Sequence, residues 1–324
     1  MIRRLGAIGV ATLSAALVAS LAACGSGAAA SSSETGANTI AYLQSFGADP
    51  AEQSVTFGVE CAGKKAGGKV LVYDAALDQN KQINQFNTAM TQGASGIISH
   101  TVNQDAMYPS YARAKAQKVP VIDFVGANTN PPNATFVGED PPAVADVTVQ
   151  AILKAIPSGA KAVMVGGPPS ASGVTPRQDA FKAAAEKAGI TILGKEDSLA
   201  LTPDDIQKKA SSLLLKYPDA NVIWGITANT AAVAGQMAKQ QGMAVGNGVV
   251  SVGAGATLDV ADKVRDGSLS IMVDTMGYEW GEAMVGLLNE AIAGKQISNP
   301  SFQYEAYTKD NISTWKDPAK RCTA

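Results

Sequence analysis

Histidine is nearly absent from this chain: His100 is the only one in 324 residues. A Ser-His-Asp triad, a Cys-His pair or a multi-histidine zinc site each needs imidazole at a set place, so these chemistries have almost no material here. Neither HExxH nor GxSxG occurs, and an enzyme built on carboxylates alone stays open. An excess of positive charge is also missing, with 26 basic residues against 28 acidic ones and a formal charge of −2. Without a basic patch the chain lacks the electrostatic footprint of a nucleic-acid binder. Cysteine is scarce: Cys24, Cys61 and Cys322 are all there is.

What is present begins with a long apolar run. Arg3 and Arg4 precede an almost uninterrupted apolar stretch from Leu5 to Ala23, the layout of a secretory signal. The run is long enough to span a bilayer, but no basic stop-transfer flank follows it. Instead comes the small-residue tether Gly25-Ser26-Gly27-Ala28-Ala29-Ala30-Ser31-Ser32-Ser33. The string Leu21-Ala22-Ala23-Cys24 resembles the lipobox of bacterial lipoproteins. That resemblance implies cleavage before Cys24, acylation of its thiol and an extracytoplasmic protein held to the cell membrane by lipid. Residues 1–23 are then signal peptide and 24–38 tether. Without Arg3 and Arg4, 24 basic residues face 28 acidic ones, a formal charge of −4. In an oxidising compartment Cys61 and Cys322 are a candidate disulfide. Sequence separation leaves open whether they bond.

From Asn38 onward, apolar strand-like runs alternate with amphipathic segments. Strands are expected at 39–43, 69–73, 96–99 and 119–124, with helices at 51–65, 79–92 and 107–117 between and after them. The Gly-, Asn- and Pro-rich loop 125–133 breaks the rhythm, which then restarts from Pro142 and runs to Ala293. Repeated βα units predict parallel sheets with helices on both faces. Two sets separated by a break predict two doubly wound α/β lobes. In such sheets ligands bind beyond the carboxyl ends of the strands, so the loops after the strands are the places to search.

Two glycine strings are decoys. Gly63-Lys64-Lys65-Ala66-Gly67-Gly68-Lys69-Val70 has the G-x-x-x-x-G-K spacing of a phosphate loop. However, Val70 replaces the required Ser or Thr, and the string precedes a strand instead of following one. Gly253-Ala254-Gly255 follows a strand but has Leu258 at the third glycine position of a dinucleotide fingerprint.

Several local strings, in order, resemble the type I periplasmic binding proteins of the ribose/galactose kind over residues 39–295. They are Thr39-Ile40-Ala41 with Ser45 and Pro50; Gly93-Ala94-Ser95-Gly96-Ile97-Ile98 with Asp105-Ala106; Val119-Pro120-Val121-Ile122; Arg177-Gln178-Asp179-Ala180-Phe181; Tyr217-Pro218-Asp219; and Asp266-Gly267. The resemblance implies two lobes joined by a hinge of three crossovers, near Gly138, near Asp274 and around 303–308. The N-terminal lobe would comprise 39–138 plus 275–303, and the C-terminal lobe 139–274 plus 304–318. It further implies a monomer without cofactor or metal that closes on a small-molecule ligand and hands it to the permease of an ABC importer.

Carried over position by position, the resemblance puts Ser45, Asp49, His100 and Arg177 in the pocket. Asp123, Thr227, Asn229, Gly255, Asp274 and Thr275 stand at or beside its other ligand positions. The departures are instructive. Val125-Gly126 replaces the Asp-Arg pair that grips sugar hydroxyls, Thr227 stands for an Asn or Asp, Gly255 for an Asp, and Thr275 replaces a hinge amide. Fewer acceptors face the cleft, which points away from a standard pyranose and towards a smaller polyol, a modified sugar or a less polar compound. Two other readings stay open. One is a secreted hydrolase built on Asp49, Asp123 and Asp274, and the other a ligand-sensing lobe for a membrane signalling partner. A Cys24→Ala variant is expected to lose metabolic palmitate labelling; labelling equal to that of the native chain contradicts lipidation at this residue.

Overall fold

The computed structural model describes residues 38–322, so the signal segment, Cys24 and all of the tether but Asn38 lie outside the described residues. Five strands form one wholly parallel sheet: β1 (Thr39–Gln44), β2 (Lys69–Asp74), β3 (Gly96–His100), β4 (Val121–Phe124) and β5 (Thr135–Val137), in the order β2-β1-β3-β4-β5. Six more form the second: β6 (Lys161–Gly166), β7 (Thr191–Asp197), β8 (Val222–Gly225), β9 (Val250–Ala254), β10 (Ile271–Asp274) and β11 (Glu305–Tyr307), in the order β11-β10-β9-β8-β6-β7. Only β11 runs antiparallel there. The central strands are short and apolar because helices cover both faces: β4 (VIDF), β8 (VIWG) and β10 (IMVD) are buried throughout. Strand β5 lies between the 125–133 loop and the restart at Pro142, where the sequence suggests no strand; three residues are too few to show a period.

Among the described residues nine α-helices connect these strands: α1 (Pro50–Lys65), α2 (Gln79–Thr91), α3 (Gln104–Ala116), α4 (Pro141–Ala155), α5 (Val174–Lys187), α6 (Pro203–Lys216), α7 (Ala228–Gln240), α8 (Leu258–Arg265) and α9 (Gly277–Ile292). Asp49, Asp78, Asn103, Asp140, Thr202, Thr227 and Thr257 cap seven of them, each side chain accepting a first-turn N–H. Most of these caps directly follow strands, so the cleft rim is built from helix starts. In the N-terminal lobe, Ile40, Tyr42, Ile98 and Ile122 pack on one face against Val55, Val59, Trp280 and Met284 of α1 and α9. On the other face, Leu43, Ile97 and Val121 meet Phe86, Met107 and Tyr111 of α2 and α3. In the C-terminal lobe Trp224 stacks on Phe181 with ring centroids 4.9 Å apart, as a core residue.

The chain passes between the lobes after β5, after β10 and before β11. Side chains bond to backbone at the first passage: Asn299 brackets Gly138 through both its N–H and its carbonyl, and Tyr304 Oη accepts from Asp140 N at 3.0 Å. At the second, the Asp274 carboxylate accepts from Met276 N (2.8 Å) and Trp315 Nε1 (3.0 Å). The C-terminal tail then returns to the first lobe, where Cys322 is disulfide-bonded to Cys61 of α1, with 5.5 Å between Cα atoms. The Arg321 guanidinium lies 4.2 Å from the Tyr278 ring centroid and pairs with Glu279.

Helices α1 and α9 approach so closely that neither tolerates a Cβ at the crossing. A Cβ on Gly58 would stand 2.1 Å from the Tyr278 carbonyl, and one on Gly281 2.2 Å from that of Val55. Gly58→Ala is therefore expected to destabilise the protein by about 2 kcal/mol or more. Gly286→Ala, on the exposed face of α9 with nothing within 4 Å of its Cβ, is expected to stabilise it by about 0.5–1 kcal/mol. Thermal melts of the two variants check the contrast, and equal melting temperatures contradict the packing described.

Candidate functional site

The carboxyl ends of both sheets face one another across a cavity of about 70 Å³. Ser45 and Phe46 follow β1, His100 and Thr101 end β3, and Phe124 and Val125 end β4. From the other lobe come the loops after β6 (Pro168, Ala171 to Val174), after β7 (Leu201) and after β8 (Ile226, Thr227). The first turn of α1 and Glu139 at the first crossover complete the wall. The two lobes touch here: Ser172 N donates to Val102 O at 3.1 Å, and its Oγ accepts from Gln104 N at 2.8 Å.

Glu52 organises the N-terminal half. It is 1 % exposed, on the buried stripe of α1 with Val55 and Val59. Its carboxylate accepts from Ser45 N (3.1 Å), Phe46 N (2.9 Å) and the Ser45 hydroxyl. His100 Nδ1 lies 3.1 Å from the same group. A buried carboxylate is tolerated because its lone pairs are met by donors. Burial works against the His100 imidazolium, but the charge and hydrogen bond of Glu52, with Asp49 and Glu139 beyond, outweigh it and raise the His100 pKa.

Arg177, in the first turn of α5, pairs through Nη2 with Glu139 Oε2 at 2.6 Å, and both side chains are largely buried. Burial opposes the Arg177 charge, but Glu139 and then Asp49 more than offset it and hold its pKa above the ordinary value. Asp49 caps α1 through Ala51 N at 3.3 Å. Burial, then the neighbouring Glu52 charge, push its carboxyl up to about 6, against the pull of Arg177. Thr227 caps α7, its hydroxyl engaged with Thr230 N and Oγ1.

Ser45, Asp49, His100, Arg177 and Thr227 thus line the cavity, whereas Asp123, Asn229, Gly255, Asp274 and Thr275 do not. Asp123 lies inside the lobe at 0 % exposure. It accepts from Gln104 Nε2 at 2.8 Å, and Gln104 in turn holds Asn128 by its backbone N–H and carbonyl. Asp123 therefore braces the loop after β4 from beneath. Asn229 accepts from Lys263 Nζ at 2.9 Å. Gly255, at φ +106°, lets the loop after β9 come within contact of the α1 N-terminus, where a Cβ would meet Ala51 N at 2.9 Å. Asp274 belongs to the hinge through Met276 and Trp315, and Thr275 beside it is buried.

Glu52 and Glu139 are the residues that sequence reasoning missed. Glu52 carried a signal: it shares the 52-55-59 stripe of α1 with two valines, and a carboxylate on an apolar stripe must meet donors inside. Glu139, one residue after the crossover glycine, carried none. A hydrolase would need two carboxyls facing one bond. Of the three aspartates suggested for it only Asp49 reaches the cavity, and Glu52 and Glu139 are engaged with His100 and Arg177.

Two α/β lobes with a cavity between their strand ends, lined by a few charged groups among apolar side chains, define a solute-binding clamp. Residues 40–296 match the periplasmic binding protein domain, and the chain belongs to that family, whose members bind solutes and are not enzymes. The chain is similar to the xylose/arabinose-binding protein of Sulfolobus acidocaldarius, 24% identical over 252 residues, 70% of this chain and 62% of that one. It is also similar to the xylitol-binding protein of Mycolicibacterium smegmatis, 25% identical over 313 residues, 94% of this chain and 86% of the other. A solved structure with the same fold is an ABC transporter solute-binding protein from Actinobacillus succinogenes with bound D-allose. It has a TM-score of 0.77 and 17% identity, covering 86% of this chain and all of that one.

The buried acid Asp123 gives a pH test of the site's support. Burial, opposed by the Gln104 hydrogen bond, raises its pKa to about 7. A carboxyl whose folded pKa lies above its unfolded value binds its proton more tightly in the folded state, so its contribution to stability falls as pH rises from about 4 to 7. The melting temperature of Asp123→Asn relative to the native protein is expected to rise across that window. A difference independent of pH contradicts a protonated Asp123 in the folded protein.

Proposed function

We propose that this solute-binding protein captures one small hydroxylated molecule, a polyol or monosaccharide, by closing its lobes around it. The observation that carries the reading is the cavity itself. It sits at the strand ends of two lobes joined by three passages, with Arg177, Asp49 and His100 inside it. Arg177 supplies fixed donors to ligand oxygens, and Asp49 accepts from ligand hydroxyls. The relatives' ligands, xylitol and pentoses among them, support a compound of that class. The loaded protein then delivers its solute to the permease of an ABC importer. The lipobox-like string at Cys24 supports lipid anchoring at the membrane where that permease sits. Among the described residues no helix is long and apolar enough to cross a membrane.

A panel of pentitols, tetritols, inositols, pentoses and hexoses tests this by thermal shift. Saturation at a hundred times Kd adds about 2.7 kcal/mol, expected as a rise of several degrees for one group of related compounds, with the ligand recovered unchanged. No shift with any member, or turnover of a bound one, contradicts the reading. Removing Arg177 alone would strand the buried Glu139 carboxylate and destabilise the fold. The informative variant is therefore Arg177→Met combined with Glu139→Gln. It is expected to fold while losing at least about tenfold in affinity, the worth of one charge-assisted hydrogen bond.

A further inference from the structure

Three of the residues lining the cavity hold a backbone conformation that their side chains disfavour. Leu77 (φ +64°), Val125 (φ +57°) and Leu201 (φ +51°) are all in the left-handed region. Glycine or asparagine is usual there, and for a β-branched residue such as Val125 it is a genuine outlier. Strain of this kind persists only where the surroundings hold it, and it gathers at ligand clamps. The surroundings are visible here: Leu77 N donates to Ser45 O at 2.8 Å, and Val125 N to Val137 O at 3.2 Å. The three come from both sides of the cleft, Leu77 and Val125 from the loops after β2 and β4 and Leu201 from the loop after β7.

The polar groups nearby are largely engaged within the protein. The hydroxyls of Ser45, Thr227 and Ser172 bond to Glu52, Thr230 and Gln104 N respectively, and one edge of Arg177 is taken by Glu139. A fully hydroxylated solute would leave hydroxyls buried against Leu77, Val125 and Leu201 without partners, and that is unfavourable.

We infer that Leu77, Val125 and Leu201 determine specificity, selecting a hydroxylated ligand that carries a methyl or other apolar group, such as a deoxy sugar or an O-methyl polyol, over its fully hydroxylated counterpart. This rests on the ligand-capture reading above. Arg177 and Asp49 hold the hydroxyl-bearing side of the ligand, and the three aliphatic side chains close on its apolar side.

Calorimetric titration with matched pairs tests it: galactose against 6-deoxygalactose, glucose against 6-deoxyglucose, and myo-inositol against its mono-O-methyl ethers. The native protein is expected to bind the less polar member of at least one pair about tenfold or more tighter, the scale on which an apolar pocket tells a methyl from a hydroxyl-bearing group. Val125→Gly and Leu201→Gly keep the backbone conformation without strain, and melting curves confirm that they fold. Both are expected to bring that ratio towards one, and Leu201→Asn, which tolerates the same φ and adds polarity, to favour the hydroxylated member. Equal or tighter binding of the hydroxylated member by the native protein overturns the inference while leaving ligand capture intact. So does a ratio unmoved in the glycine variants. Failure of every compound in these pairs and in the wider panel overturns both.

Discussion

The buried carboxylate of Glu52 is the interaction on which the site depends. An ion in a protein interior is tolerated only when donors replace the water it has lost. Here the donors are two consecutive backbone amides and a hydroxyl of the loop after β1, with His100 at the end of β3 beside them. One side chain on α1 thereby ties together the ends of the neighbouring strands β1 and β3 and the first turn of the helix that follows β1. The loop conformation, the His100 orientation and the electrostatics around Asp49 all follow from that arrangement. Arg177 and Glu139 do similar work for the opposite wall, linking the first turn of α5 to the first crossover.

The fold suits the lobe closure proposed above. Each lobe keeps its own apolar core on the faces of its own sheet. Across the cleft the contacts include hydrogen bonds of Ser172 with Val102, Gln104 and Thr101 and close approaches at two glycines, Gly173 to Val125 and Gly255 to the start of α1. Contacts of this sort exchange readily with water, whereas parting an apolar core would expose large areas. The passages themselves are fixed by side-chain to backbone bonds at Gly138, Asp140 and Met276, and the Cys61–Cys322 bond returns the tail from the second lobe to the first.

Much of this was legible in the sequence, for identifiable reasons. Parallel strands buried on both faces appear as short apolar runs, and the βα alternation follows directly. Loops after strands were the right places to look, because helix starts gather there, and Asp49 and Thr227 prove to be helix caps on the cavity rim. Asp123 misled because it lies within β4, where side chains alternate between faces; it turns inward to Gln104, and the cavity begins at the next residue, Phe124. Asp274 sits at a strand end, yet its partners are the hinge amide and Trp315, 41 residues away in the chain, which no local pattern announces. Glu52 was overlooked because an acid in a helix's first turn is ordinarily read as complementing the helix dipole. The left-handed backbone at Leu77, Val125 and Leu201 had no sequence signal, since nothing in an aliphatic residue's identity foretells a positive φ.

The central claim is that the two lobes close on a solute and release it intact. Small-angle scattering of the protein, first alone and then saturated with a compound that raises its melting temperature, tests this most directly. The account predicts a smaller radius of gyration in the saturated sample, reversed when the unchanged ligand is dialysed away. Identical scattering profiles in the two states, with the compound demonstrably bound, would contradict it.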